Sequence, residues 1–174
     1  MRSLIKWLGN GFRNLIIFGI RYRWVRRGRD IHCMWSTTFW SPRRSIVLGD
    51  HVGIGYRCTF AADLVVGSKV LIASNAAFIN SDDHRFDLVG QCMWDSGRGD
   101  AHRIVLEDDV WVGYGAIVMA PAHVGRGSII AAGSVVRGNV PRYSIVAGVP
   151  AKVIKSRFTQ EQITQHETLL GVTD

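Results

Sequence analysis

The stretch LGDHVGIGYRCTFAADLVVGSKVLIASNAAF, residues 48–78, decides the fold. A large apolar residue recurs in it at every sixth position: Leu48, Ile54, Phe60, Val66, Ile72 and Phe78. The same beat resumes at Leu106 and runs through Val112, Val118, Val124, Ile130 and Val136. The next position is usually small, as at Gly49, Gly55, Gly67, Gly113 and Gly125. Four places on sits a second small or β-branched residue: Val52, Cys58, Val70, Ala76, Val110, Ala116, Ser128 and Ser134. A period of six matches neither the helical 3.6 nor hairpin strands that turn every 8–12 residues. It matches a β-solenoid, each hexad being one short strand and one corner with the large residue inward and the glycine easing the turn.

Outward from this core the beat weakens and then breaks. Upstream, Met34, Trp40 and Ile46 keep the six-residue spacing, so residues 31–47 read as a degenerate first coil disturbed by Ser36 and Pro42. Between Phe78 and Leu106 the spacing is 28, and residues 82–103 fit no hexad. This insert carries Asp82, Asp83, His84, Arg85, Asp87, Trp94, His102 and Arg103. A long irregular excursion from a compact fold is either disordered or functional, and rigid scaffolds tend to carry function on such loops. The acidic, histidine-bearing and aromatic composition points to function.

Composition bounds the rest. A chain of 174 residues with 47% hydrophobic and 20% charged residues is sized for one globular core and is too apolar to be disordered. The longest apolar run, Leu15 to Ile20, is far too short to span a membrane, and no small-residue cleavage site follows it, so a signal peptide is not expected. Cys33, Cys58 and Cys92 form no CxxC pair and fit a reducing cytoplasm. Of the net charge of +7, residues 1–29 carry eight basic and no acidic side chains, while the remainder has 13 basic and 14 acidic. The body of the chain therefore has no electrostatic footprint for nucleic acid.

From about Ser45 to Phe158 the hexads resemble those of the hexapeptide-repeat acyltransferases. The resemblance implies an all-β solenoid, a left-handed parallel β-helix of triangular section with three hexads per coil. It also implies a homotrimer that binds acetyl-CoA as co-substrate in a groove between subunits. The segment NSDDHRFD, residues 80–87, is similar to the point where streptogramin, galactoside and polysaccharide acetyltransferases of this fold leave the solenoid with a catalytic histidine. Carried over, His84 is the general base on an acceptor hydroxyl, a role suited to imidazole, which is available as a neutral base near neutral pH. Asn80, Asp83, Asp87 and Trp94 are the companion candidates for acceptor binding. Residues DVWVG (109–113) and VAGVPAKVIK (146–155) resemble two further family segments. They place Tyr114, Ala132, Arg137, Lys152 and Lys155 on the cofactor, the last three as cations for the nucleotide end. The implied activity is transfer of acetyl to a sugar hydroxyl in surface polysaccharide or lipopolysaccharide assembly. Transfer to an amino sugar or a drug, and a non-catalytic assembly platform, stand as alternatives.

No metal is expected, because the zinc enzymes of this fold need converging histidines and two of them close in sequence. Here His84 and His102 are 18 residues apart, and His123 is 21 further on. The boundaries that follow are 1–29 for a basic amphipathic N-terminal helix, 30–156 for the β-helix, and 157–174 for a C-terminal helix with a capping box at Thr159 and Gln162. The N-terminal helix has two readings, a cap over the solenoid end or a peripheral contact on the inner face of the cytoplasmic membrane.

Overall fold

A computed structural model describes residues 2–172, with side chains from Gly9 onward. Helix α1 (Arg2–Ile16) and a π-helical turn (Ile17–Arg21) lead into a parallel β-solenoid with the architecture of a left-handed β-helix. Its first face stacks Arg26–Arg27, Ile46–Leu48, Asp63–Val66 and Arg103–Leu106. The second stacks His32–Cys33, Gly53–Ile54, Leu71–Ile72, Trp111–Val112, Ile129–Ile130 and Ser144–Gly148. The third begins with Thr38–Trp40, Thr59–Ala61 and Ala77–Asn80. Strands Ile117–Val124 and Val135–Val140 run from the third face around the corner onto the first, with a register shift between Met119 and Ala122. Ala151–Ser156 returns antiparallel on Ser144–Gly148 and ends the second face. Helix α2 (Gln160–Leu170) follows, with the reciprocal capping box of Thr159 and Gln162 in place and Ile163 buried.

The periodicity read from the sequence is the core. All twelve large hexad residues are buried, none more than 4% exposed, and so are the eight small partners from Val52 to Ser134. Phe39, Phe60 and Phe78 stack on successive coils of the third face, with ring centroids 4.7 and 4.9 Å apart. The glycines after the large residues serve the spacing between coils. A Cβ on Gly49 would sit 2.6 Å from the Gly67 backbone, and one on Gly113 2.6 Å from the Ala132 nitrogen. Neither has a positive φ. The left-handed corner residues are others, such as His51, Arg57, Lys69, Asn75 and Asp109.

The first coil departs from the expected frame. Cys33 and Phe39 point inward, pairing with Ile54 and Phe60, whereas Met34 is only half-buried and Trp40 is 43% exposed. The offset of 21 between Cys33 and Ile54, against 18 between Ile54 and Ile72, shows three extra residues in this coil. They enlarge the corner at Pro42, which is built on the buried Asp63. Its carboxylate accepts from the Ser41 hydroxyl at 2.5 Å and the Arg43 amide at 3.3 Å.

Two of the three thiols sit in this wall. Burial pushes Cys33 up to about 11 and raises Cys58 as well, while Cys92 in the insert is exposed. Only the thiolate reacts, so a native titration with a disulfide reagent is expected to modify Cys92 alone, and all three only after denaturation. Rapid modification of Cys33 in the folded protein would contradict the packing described. Among the described residues no helix is long and apolar enough to cross a membrane.

Candidate functional site

The insert leaves the solenoid at the corner between the third and first faces. Ile104 pairs with Leu64, an offset of 40, which is one 18-residue coil plus 22. The coils on either side therefore stack as though the insert were absent. Asn80 closes its neck. The buried side chain donates to the Asp100 carbonyl at 2.9 Å and accepts from the His102 amide at 3.1 Å. Inside the loop the Arg85 amide donates to the Gly97 carbonyl at 3.2 Å, and the buried Ser96 hydroxyl bonds to the Arg85 carbonyl. Arg98 lies over the Trp40 ring, 5.1 Å from its centroid, which ties the loop tip back to the first coil.

These bonds shape an open cavity of about 580 Å³, lined by Asp82, His84, Arg85, Phe86, Asp87 and Arg98 with Gly99 and Asp100 behind them. His84 is exposed, and among the described residues its ring makes no hydrogen bond or ion pair. Both ring nitrogens are therefore available to a ligand. Arg85 and Asp87 pair at 3.5 Å, and Asp82 faces His102 at 3.6 Å. An imidazole among carboxylates, guanidinium groups and one exposed ring is chemically equipped to hold a polyhydroxylated molecule and take a proton from it.

Of the residues singled out with His84, the cavity includes Asp87. Asn80 is committed to the neck, Asp83 is exposed outside the lining, and Trp94 is 92% exposed and also outside it. Sequence reasoning passed over Phe86, Arg98 and Asp100. The available signal was the pair Gly97 and Gly99 around Arg98. Gly97 has φ of +77°, and a Cβ on Gly99 would meet the Asp82 carbonyl at 2.2 Å, so both mark a chain folding back on itself.

The other candidates lie elsewhere. Tyr114 and Ala132 sit on successive coils at the corner between the second and third faces, where the Gly133 amide donates to the Tyr114 carbonyl at 2.8 Å. Lys152 pairs with Ala147 one coil further along the same edge. Arg137 pairs with Met119, which pairs with Ile79, so it stands on the edge of the third face from which the insert departs. Lys155 pairs with Ile145 at the far end of the terminal strand. One chain therefore separates the root of the insert that bears His84 from Tyr114, Ala132 and Lys152 by the width of the third face. Outside the second face, Leu71 and Trp111 pair side by side, 59% and 51% exposed, with Ile129 next in the ladder.

Known proteins bear on this arrangement. Residues 103–138 match the family model described as bacterial transferase hexapeptide (six repeats). A probable acetyltransferase of Mycobacterium tuberculosis is 33% identical over 132 residues, 75% of this chain and 43% of that protein. A chloramphenicol acetyltransferase of Klebsiella aerogenes is 36% identical over 115 residues, 58% of this chain and 55% of that one. The chain spans about half the length of the curated relatives it matches. In fold it is similar to a hexapeptide-repeat-containing acetyltransferase of Vibrio cholerae solved with acetyl-CoA, with a TM-score of 0.64 at 24% identity, covering 86% of each chain. It is also similar to the N-acyltransferase AntD of Bacillus cereus, with a TM-score of 0.66 at 16% identity, covering 86% of this chain and 81% of that one. The matched segment lies within a solenoid whose twelve hexad apices are all buried, and residues 103–138 carry the hexapeptide repeat of that family model.

Proposed function

We propose that this chain is an acetyl-CoA-dependent O-acetyltransferase acting on a sugar hydroxyl, in the assembly of surface polysaccharide or lipopolysaccharide on the cytoplasmic side. The observation that carries the reading is the insert cavity, where an unengaged His84 ring faces a carboxylate-rich pocket with Phe86 as an apolar platform. Matches to named acetyltransferases supply the donor chemistry. In the proposed step His84 takes the acceptor hydroxyl proton as the oxygen attacks the thioester carbonyl. The tetrahedral intermediate then collapses, the C–S bond breaks, and the imidazolium returns its proton to the departing CoA sulfur.

The root of the insert that bears His84 and the Tyr114–Ala132 edge are one face apart in a single chain, so the reading includes a homotrimer. The groove forms where the His84 corner of one copy meets the Tyr114 edge of the next. The exposed Leu71–Trp111 ladder is an apolar surface that such packing covers. A second reading, N-acetylation of an amino sugar or acetylation of a drug, is favoured by the chloramphenicol and macrolide acetyltransferases among the relatives. The discriminating experiment is release of the CoA thiol from acetyl-CoA against a panel of sugars, amino sugars and streptogramins. Turnover with sugars bearing only hydroxyl groups supports the first reading. Turnover confined to amino sugars or drugs supports the second, and none with any acceptor leaves a non-catalytic platform.

The cations give a subsidiary expectation. Lys152→Ala, on the groove edge, should raise the KM for acetyl-CoA about 2- to 10-fold with kcat kept, as loss of an exposed charge contact would. Arg137→Ala and Lys155→Ala test the same role from their separate positions. With acetylated pantetheine, which lacks the nucleotide, the change should vanish. An equal rise for both donors would remove these cations from the nucleotide end.

A further inference from the structure

An ordinary capping helix turns its apolar stripe to the core and its polar side chains to water. The part of helix α1 with described side chains, from Gly9 to Ile16, does the reverse. Its Asn10 and Asn14 amides both donate to the Ile31 carbonyl at the solenoid end, at 3.0 and 2.5 Å, and Asn14 is buried there. Phe12 and Leu15 are 63% and 61% exposed, and Ile20 in the π turn is 70% exposed. The apolar closure of the solenoid comes from Ile17, Phe18 and Tyr22, whose two aromatic rings meet Phe39 at 5.7 and 5.1 Å. The cap is therefore complete without Phe12, Leu15 and Ile20.

Charge says what covers them. Arg21, Arg23, Arg26 and Arg27 are exposed immediately after the stripe, in a segment of eight basic and no acidic residues. Apolar side chains rimmed by cations suit the interface of an anionic bilayer, where the side chains enter the acyl boundary and the guanidinium groups stay among the headgroups. A second copy of the chain would bring two such cationic rims together, which like-charge repulsion opposes.

We propose that the outward residues Phe12 and Leu15 of α1 and Ile20 of the π turn, together with the exposed Arg23 and Arg26 that follow, form a docking surface for an anionic lipid bilayer. The inference stands apart from the acetyl-transfer reading, because none of these residues belongs to the His84 cavity or the Tyr114 edge. The test is co-sedimentation of the full chain with vesicles of phosphatidylcholine alone or mixed with phosphatidylglycerol. Binding is expected only to the anionic vesicles and should fall steeply with salt. Arg23→Gln and Arg26→Gln should each weaken it about fivefold. The double variant Phe12→Ser, Leu15→Ser should weaken it at least about tenfold with the melting transition retained. The arginine variants and the salt dependence keep the test decisive if that variant fails to fold. No sedimentation with anionic vesicles at low salt, equal binding to neutral ones, or binding unchanged by both sets of substitutions would overturn the proposal. Loss of self-association in the Phe12, Leu15 variant without vesicle binding would assign the stripe to a second copy instead.

Discussion

His84→Ala should lower kcat by about 10²–10⁴ while leaving the Kd for acetyl-CoA nearly unchanged. His84 lines the insert cavity and makes no hydrogen bond or ion pair among the described residues, so its removal deletes a base without breaking a described contact. Its exposure also makes the result readable, since the melting temperature of the variant should match that of the parent. Asn80→Ala separates chemistry from positioning. It releases the Asp100 carbonyl and the His102 amide at the neck, so the insert loosens and both KM for the acceptor and kcat suffer. Near-parental turnover in His84→Ala would exclude it as the base.

The largest expected loss of stability follows Phe60→Ala. Phe60 is fully buried and stacked between Phe39 and Phe78, and a neighbouring coil on each side limits how far the hole can close. Truncation of a buried phenylalanine costs about 3–5 kcal/mol, which for a chain of this size is a fall in Tm of roughly 6–20 °C. The contrasting change is Phe86→Ala. At 76% exposed, its ring should contribute within about 0.5 kcal/mol to stability and act on acceptor KM instead. A small Tm change for Phe60→Ala would show that the third-face column is not the core described.

The contrast between these two phenylalanines shows where the sequence is transparent. Phe60 belongs to a period, and a solenoid repeats one packing problem, so the solution at one hexad is the solution at the next. The break in the period was legible as a break, although Arg103, read as the last residue of the insert, opens the strand Arg103–Leu106 and pairs with Asp63. Phe86 belongs to no period. Its placement depends on Arg85 pairing with Gly97 and Arg98 reaching Trp40, contacts between segments whose spacing repeats nothing. The first coil was obscured for a related reason. Asp63, a buried polar residue of the next coil, holds the enlarged Pro42 corner, and the three extra residues there move the inward residues from Met34 and Trp40 to Cys33 and Phe39. In α1 the helical spacing of apolar residues was readable, but which face meets the solenoid was decided by two asparagines and the Ile31 carbonyl. The glycines were recognisable as necessary, yet their reason is the backbone of the next coil and not the turn of their own.

In the proposed trimer the catalytic site is shared between copies, with His84 from one chain and the Tyr114–Ala132 edge from the next. The direct measurement is thiol release from acetyl-CoA by mixed oligomers of two variants, His84→Ala and Ala132→Trp, each inactive alone. Random mixing in equal amounts pairs an intact His84 with an intact edge at about one quarter of the interfaces, so recovery of about one quarter of the parental rate is expected. Mixed oligomers that stay as inactive as the separate variants would contradict the shared site.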